Sequence, residues 1–208
     1  MNKNIVVVDY GIGNIHSVEQ ALIQVGATNI SVSSDQKIIE ECDALILPGV
    51  GSFSAGMQGL KNRDLITSIQ NFAHSGRPLL GICLGAQMLL TESEEFGLHK
   101  GLDLIPGKVT QIPKSPILEY RVPLIGWAEL EINIDIPILR GMNAIERFYF
   151  VHSFHCIPTN PEHRVLSFQI IDHDITALIS NKNIYGAQFH PEKSSSSGLK
   201  LLSNFINL

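Results

Sequence analysis

The feature that most restricts this chain is the alternation of short apolar runs with helical stripes through its first half. Residues 5–9 form a β-branched run that reads as a buried strand, and similar runs recur at 29–33, Ala44–Leu47 and Leu79–Ile82. Between them, Ile15, Val18, Ala21, Leu22 and Val25 fall at helical spacing, with Asn14 as N-cap and Gly26 as stop. A short helix is predicted over 35–41. A stripe of Leu65, Ile66, Ile69 and Phe72 ends at Gly76, and a further helix is predicted over 84–90. Strands that alternate with helices predict parallel β-α-β units and a doubly wound sheet.

The second half reads differently. Strands are predicted at 108–112, 128–132, 147–154, 164–171, 176–180 and 184–189, mostly joined by turns. An amphipathic helix over 198–208 closes the chain, with Leu199, Leu202, Phe205 and Ile206 on one side. The expected fold is therefore α/β: a doubly wound, mostly parallel sheet flanked by helices, with added antiparallel strands in the C-terminal half. No long linker, internal repeat or extended low-complexity tract interrupts it, which predicts a single domain over 1–208.

Composition narrows the function classes. With 44% apolar and 17% charged residues in 208, the chain has the means to bury a core, and disorder is excluded for most of it. Fifteen basic against twenty acidic side chains give a net charge of −5, which argues against nucleic acid or an anionic membrane as partner. No apolar run reaches the roughly 18–20 residues of a membrane span. The start of the chain runs straight into a strand without the layout of a signal peptide. Cys42, Cys83 and Cys156 are an odd count with no CxxC spacing, which argues against a disulfide framework or a thiolate metal site. A cytoplasmic protein with no metal and no cofactor is expected.

The strongest local signal is Gly81-Ile82-Cys83-Leu84-Gly85 at a predicted strand-to-helix junction. This is the cysteine form of a nucleophile elbow, a turn so tight that its flanking positions must be small. It projects Cys83 above the sheet edge at a helix start, where the dipole and free N–H groups favour thiolate, the nucleophilic form. The N–H of Leu84 would face an oxyanion formed on the attacked substrate. Most intracellular cysteines are small buried hydrophobes, and Cys42 and Cys156 are read that way.

A thiol nucleophile needs a base, and the base needs an orienting group. His190 ends a strand-like run and is followed by Pro191 and Glu192. On an extended chain residues i and i+2 share a face, so Glu192 would hold one imidazole nitrogen and leave the other for the thiol. Pro48-Gly49-Val50-Gly51 follows the strand at Ala44–Leu47 and should lie beside the elbow, where strand C-termini line the ligand crevice. Its glycines allow a backbone N–H to turn inward as an oxyanion donor. There is no GxxxxGK[ST], and Gly11-Ile12-Gly13 lacks the third glycine of a dinucleotide fingerprint.

Taken together, Gly81 to Gln87, Gln188 to Ser194 and Leu47 to Gly51 resemble the class I (triad-type) glutamine amidotransferases, and within them the glutaminase subunits of imidazole glycerol phosphate synthase. Asp9 to Asn14, Ile125-Gly126-Trp127 and Tyr149 to Ser153 extend the similarity over nearly the whole chain. The resemblance implies that Cys83 attacks the side-chain amide of glutamine while His190, oriented by Glu192, moves protons. Ammonia leaves, and water then hydrolyses the thioester. It further implies oxyanion and glutamine contacts at Gly49, Val50, Gly51, Leu84, Gln87, His152 and Ser153. Asn14, Trp127 and Tyr149 match positions facing a synthase partner.

The implied partner is a (β/α)8 barrel cyclase subunit in a heterodimer, making imidazole glycerol phosphate and aminoimidazole carboxamide ribonucleotide in histidine biosynthesis. A partner also follows from the chain itself, since nothing in it beyond the glutaminase part would use ammonia. Departures occur where the family shows Pro-His-x-Gly-Trp-Asn and this chain has Leu124 and Ala128 at the polar positions. They leave open a different acceptor, such as a surface-sugar barrel pair. A cysteine hydrolase of the same fold and a non-catalytic partner-binding module are the remaining readings.

Overall fold

The computed structural model describes residues 3–113 and 121–208. Its centre is a seven-stranded sheet in the order β11-β12-β13-β4-β3-β1-β2. Five of these strands, β1 (Ile5–Val8), β2 (Ile30–Ser33), β3 (Ala44–Leu47), β4 (Leu79–Ile82) and β13 (Ile184–Ala187), run parallel. β11 (Arg164–Ile170) and β12 (His173–Asn181) add an antiparallel edge.

The inner strands are buried on both faces, which is why they read as unbroken apolar runs. Alternate side chains feed two separate cores. Ile5, Val7, Ala44 and Ile46 pack with α1 (Ile15–Gln24) and α6 (Ser195–Ile206). Val6, Val8, Leu45 and Leu47 pack with α2 (Gln36–Glu41), α3 (Phe53–Asn62), α4 (Leu65–His74) and α5 (Leu84–Met88). A four-stranded sheet, β10-β7-β5-β6, and a two-stranded ribbon of β8 (Leu124–Glu131) and β9 (Ile145–His152) stand beside this body. In the smaller sheet, β5 is Leu90–Ser93, β6 His99–Lys100, β7 Ile105–Gln111 and β10 Phe154–Pro158. Among the described residues no helix is long and apolar enough to cross a membrane.

The predicted α/β architecture is the one observed, with several local differences. Asn14 stands at the N-cap of α1, but its side chain makes no cap hydrogen bond and reaches Glu192 instead. Gly26 takes φ +93°, so the predicted stop is a left-handed residue. Helix α3 has no counterpart in the sequence reading because Gly56 and Gly59 dilute its stripe. A Cβ at Gly59 would lie 2.7 Å from the Tyr10 carbonyl oxygen, and one at Gly56 2.7 Å from Met88 Sδ, so packing selects residues that helix propensity disfavours. The helix predicted over 84–90 stops at Met88, and Leu90 already belongs to β5. An apolar run of that length fits either state. The strand predicted over 147–154 is two strands in different sheets, divided at Ser153.

Candidate active site

Cys83 follows β4 at φ +53°, ψ −107°, a conformation that costs an ordinary side chain about 1–3 kcal/mol. The surrounding backbone enforces it. A Cβ at Gly81 would meet Ala86 N and Gly85 at 2.7 Å, and one at Gly85 would overlap the Leu47 carbonyl oxygen at 1.8 Å. Only glycine lets α5 fold back so closely over β4 and β3, and the reward is a sulfur at the sheet's C-terminal edge. The helix behind it has only five residues, shorter than predicted, so its dipole contributes less than a long helix would.

The imidazole arrives from the neighbouring strand. β13 pairs with β4 in parallel register, Ala187 opposite Ile82, and Cys83 N–H donates to the Ala187 carbonyl at 2.7 Å. Three residues later His190 is 2% exposed, and its backbone N–H donates to the Tyr149 carbonyl at 3.0 Å. His190 Nδ1 lies 2.8 Å from Glu192 Oε1. The two meet across a 3₁₀ turn, Pro191–Lys193, and not along an extended strand as the i, i+2 argument supposed. Ser194 pins this turn: its hydroxyl donates to the His190 carbonyl at 2.6 Å and accepts from Tyr149 N–H at 2.9 Å.

Burial opposes a charge on His190, yet hydrogen bonding and charge from Cys83 and Glu192 outweigh it and raise the imidazole to about 9. His190 Nε2 is buried and makes no hydrogen bond of ordinary geometry among the described residues. The nearby sulfur still raises the ring, first as a hydrogen-bonding neighbour and then by charge, although the contact is not of ordinary geometry in the resting arrangement. Such contacts commonly tighten only when substrate binds.

These groups open onto a cleft of about 360 Å³. Val50, Gly51 and Leu84 line it on the nucleophile side, and Gln87, His152 and Ser153 line it beyond. Gly51 takes φ +98°, a conformation that favours glycine. Gly49 is packed behind the lining, where a Cβ would meet Tyr10 Oη at 2.5 Å and Leu84 at 2.9 Å. Gln87 is already engaged: its Nε2 donates to the Phe154 carbonyl at 2.9 Å and to Gln188 Oε1 at 3.1 Å. His152 Nδ1 donates to the same Phe154 carbonyl at 2.9 Å, and burial holds this ring down to about 4, so it stays neutral.

The residues expected at a partner surface lie outside the cleft but in contact with its rear. Asn14 Nδ2 is 3.4 Å from Glu192 Oε1, and Tyr149 carries the carbonyl that His190 N–H uses. Trp127, 46% exposed, stacks edge-on to Tyr149 at 6.0 Å across the β8–β9 pair. Leu124 and Ala128 border a shallow apolar hollow with Phe150, Phe168 and Ile170.

Four contributors escaped the sequence reading. Glu95 lines the cleft, with Oε2 accepting from Phe53 N–H at 2.6 Å. Tyr10 ties the Pro48 carbonyl at 2.6 Å, Ser194 holds the His190 turn, and Gln188 stands beside the sulfur. Tyr10, Gln188 and Ser194 lie inside stretches that carry the resemblance, though no role was legible for them there, and nothing local marks Glu95. Among the described residues no group of His, Cys, Asp and Glu could hold a metal ion.

Comparison with known proteins places the chain in a family. The family model described as glutamine amidotransferase class-I matches residues 6–208. The imidazole glycerol phosphate synthase subunit HisH 1 of Legionella pneumophila (strain Paris) is 42% identical over 213 residues, covering 99% of this chain and 100% of that protein. The subunit HisH of Methanosarcina barkeri is 44% identical over 207 residues, covering 99% of each chain. Among solved structures, PurLQS from Thermotoga maritima superposes with a TM-score of 0.71 at 22% identity, covering 100% of this chain and 99% of that one, a likeness of fold. The chain belongs to the class-I glutamine amidotransferase family.

Proposed function

We propose that residues 1–208 work as one glutaminase domain, the ammonia-producing subunit of an imidazole glycerol phosphate synthase. The observation that carries the chemistry is the His190–Glu192 pair at 2.8 Å, seated beside an elbow cysteine that opens onto the cleft. Cys83 thiolate attacks Cδ of glutamine, and the N–H groups of Gly51 and Leu84 receive the oxyanion. His190 gives its proton to the departing nitrogen, and ammonia leaves. The neutral imidazole then takes a proton from water, which attacks the thioester and releases glutamate and the thiolate. Glu192 keeps Nδ1 protonated throughout.

At the amino-acid end, the Glu95 carboxylate suits the α-ammonium, and the backbone at His152 and Ser153 suits the α-carboxylate. Gln87 contributes by holding its neighbours, since both of its amide hydrogen bonds point inward.

The destination of the ammonia is a (β/α)8 cyclase subunit docked over Asn14, Trp127 and Tyr149. This reading rests on relatives named as HisH subunits and on the link from those three residues to Glu192 and His190. Three unpaired cysteines suit the reducing cytoplasm. The apolar hollow at Leu124 and Ala128 favours one second reading, the same glutaminase serving another barrel partner. Glutamate release should be low for the isolated chain and rise at least tenfold with the cyclase subunit and its ribonucleotide. Cys83→Ala should abolish glutamine use while the complex still works on added ammonium. Glutamine turnover that survives Cys83→Ala overturns the assignment of the nucleophile. No stimulation by the cyclase redirects the search to another acceptor.

A further inference from the structure

Besides the imidazole, the sulfur of Cys83 has a second polar neighbour. Gln188, 1% exposed, points Nε2 at Cys83 Sγ from 3.8 Å. The position follows from strand register. Ala187 lies opposite Ile82, so the residues one step beyond each strand stand side by side although 105 apart in sequence.

The polarity of that contact is fixed from outside the pair. The Phe154 carbonyl can only accept, so the Gln87 side chain must turn its NH2 towards it, at 2.9 Å. The same NH2 reaches the Gln188 side chain at 3.1 Å, which must therefore present its Oε1. The NH2 of Gln188 is then left facing sulfur. His152 Nδ1–H occupies the Phe154 carbonyl as well, which keeps that carbonyl in place as the origin of the chain. Gln87, Gln188, His152 and Cys83 are all buried and Phe154 is half-buried, so reversing one amide would leave unpaired polar groups away from water.

We propose that Gln188 is a positioning residue of the nucleophile, donating an amide N–H to the Cys83 thiolate independently of His190, with Gln87 as its anchor. A thiolate is an acceptor only, so a fixed donor favours it over the thiol and holds its rotamer for attack. The inference rests on Cys83 being the nucleophile.

The test uses the full chain with its cyclase partner for turnover, and the chain alone for alkylation. Iodoacetamide labelling of Cys83, followed by mass of its peptide from pH 5 to 10, reads thiol reactivity without requiring glutamine to bind. Gln188→Leu removes both amide ends at similar volume. Folded Gln188→Leu should alkylate roughly tenfold more slowly at pH 7, the scale of a hydrogen bond to a charged group. Its pH midpoint should move upward, and kcat should fall by a similar factor with KM for glutamine unchanged. Gln87→Leu should show a smaller loss of about threefold by the same scale. The double variant should be no worse than Gln188→Leu, because Gln87 acts through Gln188.

An alkylation profile of folded Gln188→Leu that superposes on wild type overturns the proposal. So does a Gln87→Leu defect confined to KM and additive with the other. If Gln188→Leu does not fold, Gln87→Leu decides alone, and an unchanged alkylation rate overturns the proposal. Failure of the nucleophile assignment is a separate result, glutamine turnover surviving Cys83→Ala.

Discussion

The ends of two neighbouring parallel strands, β4 and β13, make the site in different ways. After β4, backbone places the nucleophile: Gly81 and Gly85 leave no room for a Cβ, and Cys83 is forced into its strained elbow. After β13, side chains and one turn place the base. Ser194 pins the His190 carbonyl, Tyr149 receives its N–H and Glu192 holds its ring. The first arrangement is rigid because close-packed backbone cannot yield. The second is a set of hydrogen bonds, each replaceable at the cost of function more than of fold.

Three substitutions or conditions would break that contrast or sharpen it. The largest effect should come from Gly85→Ala, whose new Cβ would sit 1.8 Å from the Leu47 carbonyl oxygen. A loss of at least about 4 kcal/mol is expected, placing it among the rare severe variants. Thermal melting should drop by about 10 °C or more. A near-normal melting temperature would show that the elbow can relax.

Glu192→Gln comes next. It keeps shape but releases the tautomer and charge that Oε1 imposes on His190, so kcat should fall about 10³–10⁴-fold. Melting should stay within a few degrees; collapse of the fold would erase the distinction between the two strand ends.

The smallest effect per single change, here one pH unit, is in the pH dependence of stability. His152 and His155 are held down to about 4, primarily by burial, which disfavours their charged forms. As pH falls below the ordinary value of about 6.5, the unfolded chain takes up protons that the folded chain refuses until near 4. Stability should therefore fall through that window at about 1.4 kcal/mol per pH unit for each ring. His190, raised to about 9, runs the other way: its contribution is full below about 6.5 and is lost as pH rises through about 9. Urea titrations from pH 4 to 10 should show both limbs, with His155→Gln flattening the acid one by one ring. A flat acid limb in wild type would mean that water reaches these rings.

Legibility followed local pattern. The inner parallel strands were readable because both faces of each are buried, and their apolar runs are local facts. Cys83, His190 and Glu192 were readable because an elbow needs glycines and the base and its carboxylate are two positions apart. Helix α3 was not, because Gly56 and Gly59 answer to Tyr10 and Met88, which lie outside its own stripe. The break at Ser153 was not, because the residues before and after it suit strands equally well and only pairing partners separate them. Glu95 stood in an ordinary acidic run, and nothing local distinguishes a carboxylate that lines a cleft from one in solvent.

The sequence by itself determined the alternating α/β body, the glycine-bound nucleophile and the short base segment, since each depends on residues within a few positions of one another. Tertiary structure alone decided that Gln188 would face the sulfur, that Gln87 would turn inward and that Asn14 would touch Glu192. Those choices depend on the register Ile82 opposite Ala187 and on Phe154 arriving from another sheet. Register between strands far apart in the chain is set by hydrogen-bond geometry and packing, for which no local periodicity exists to be read.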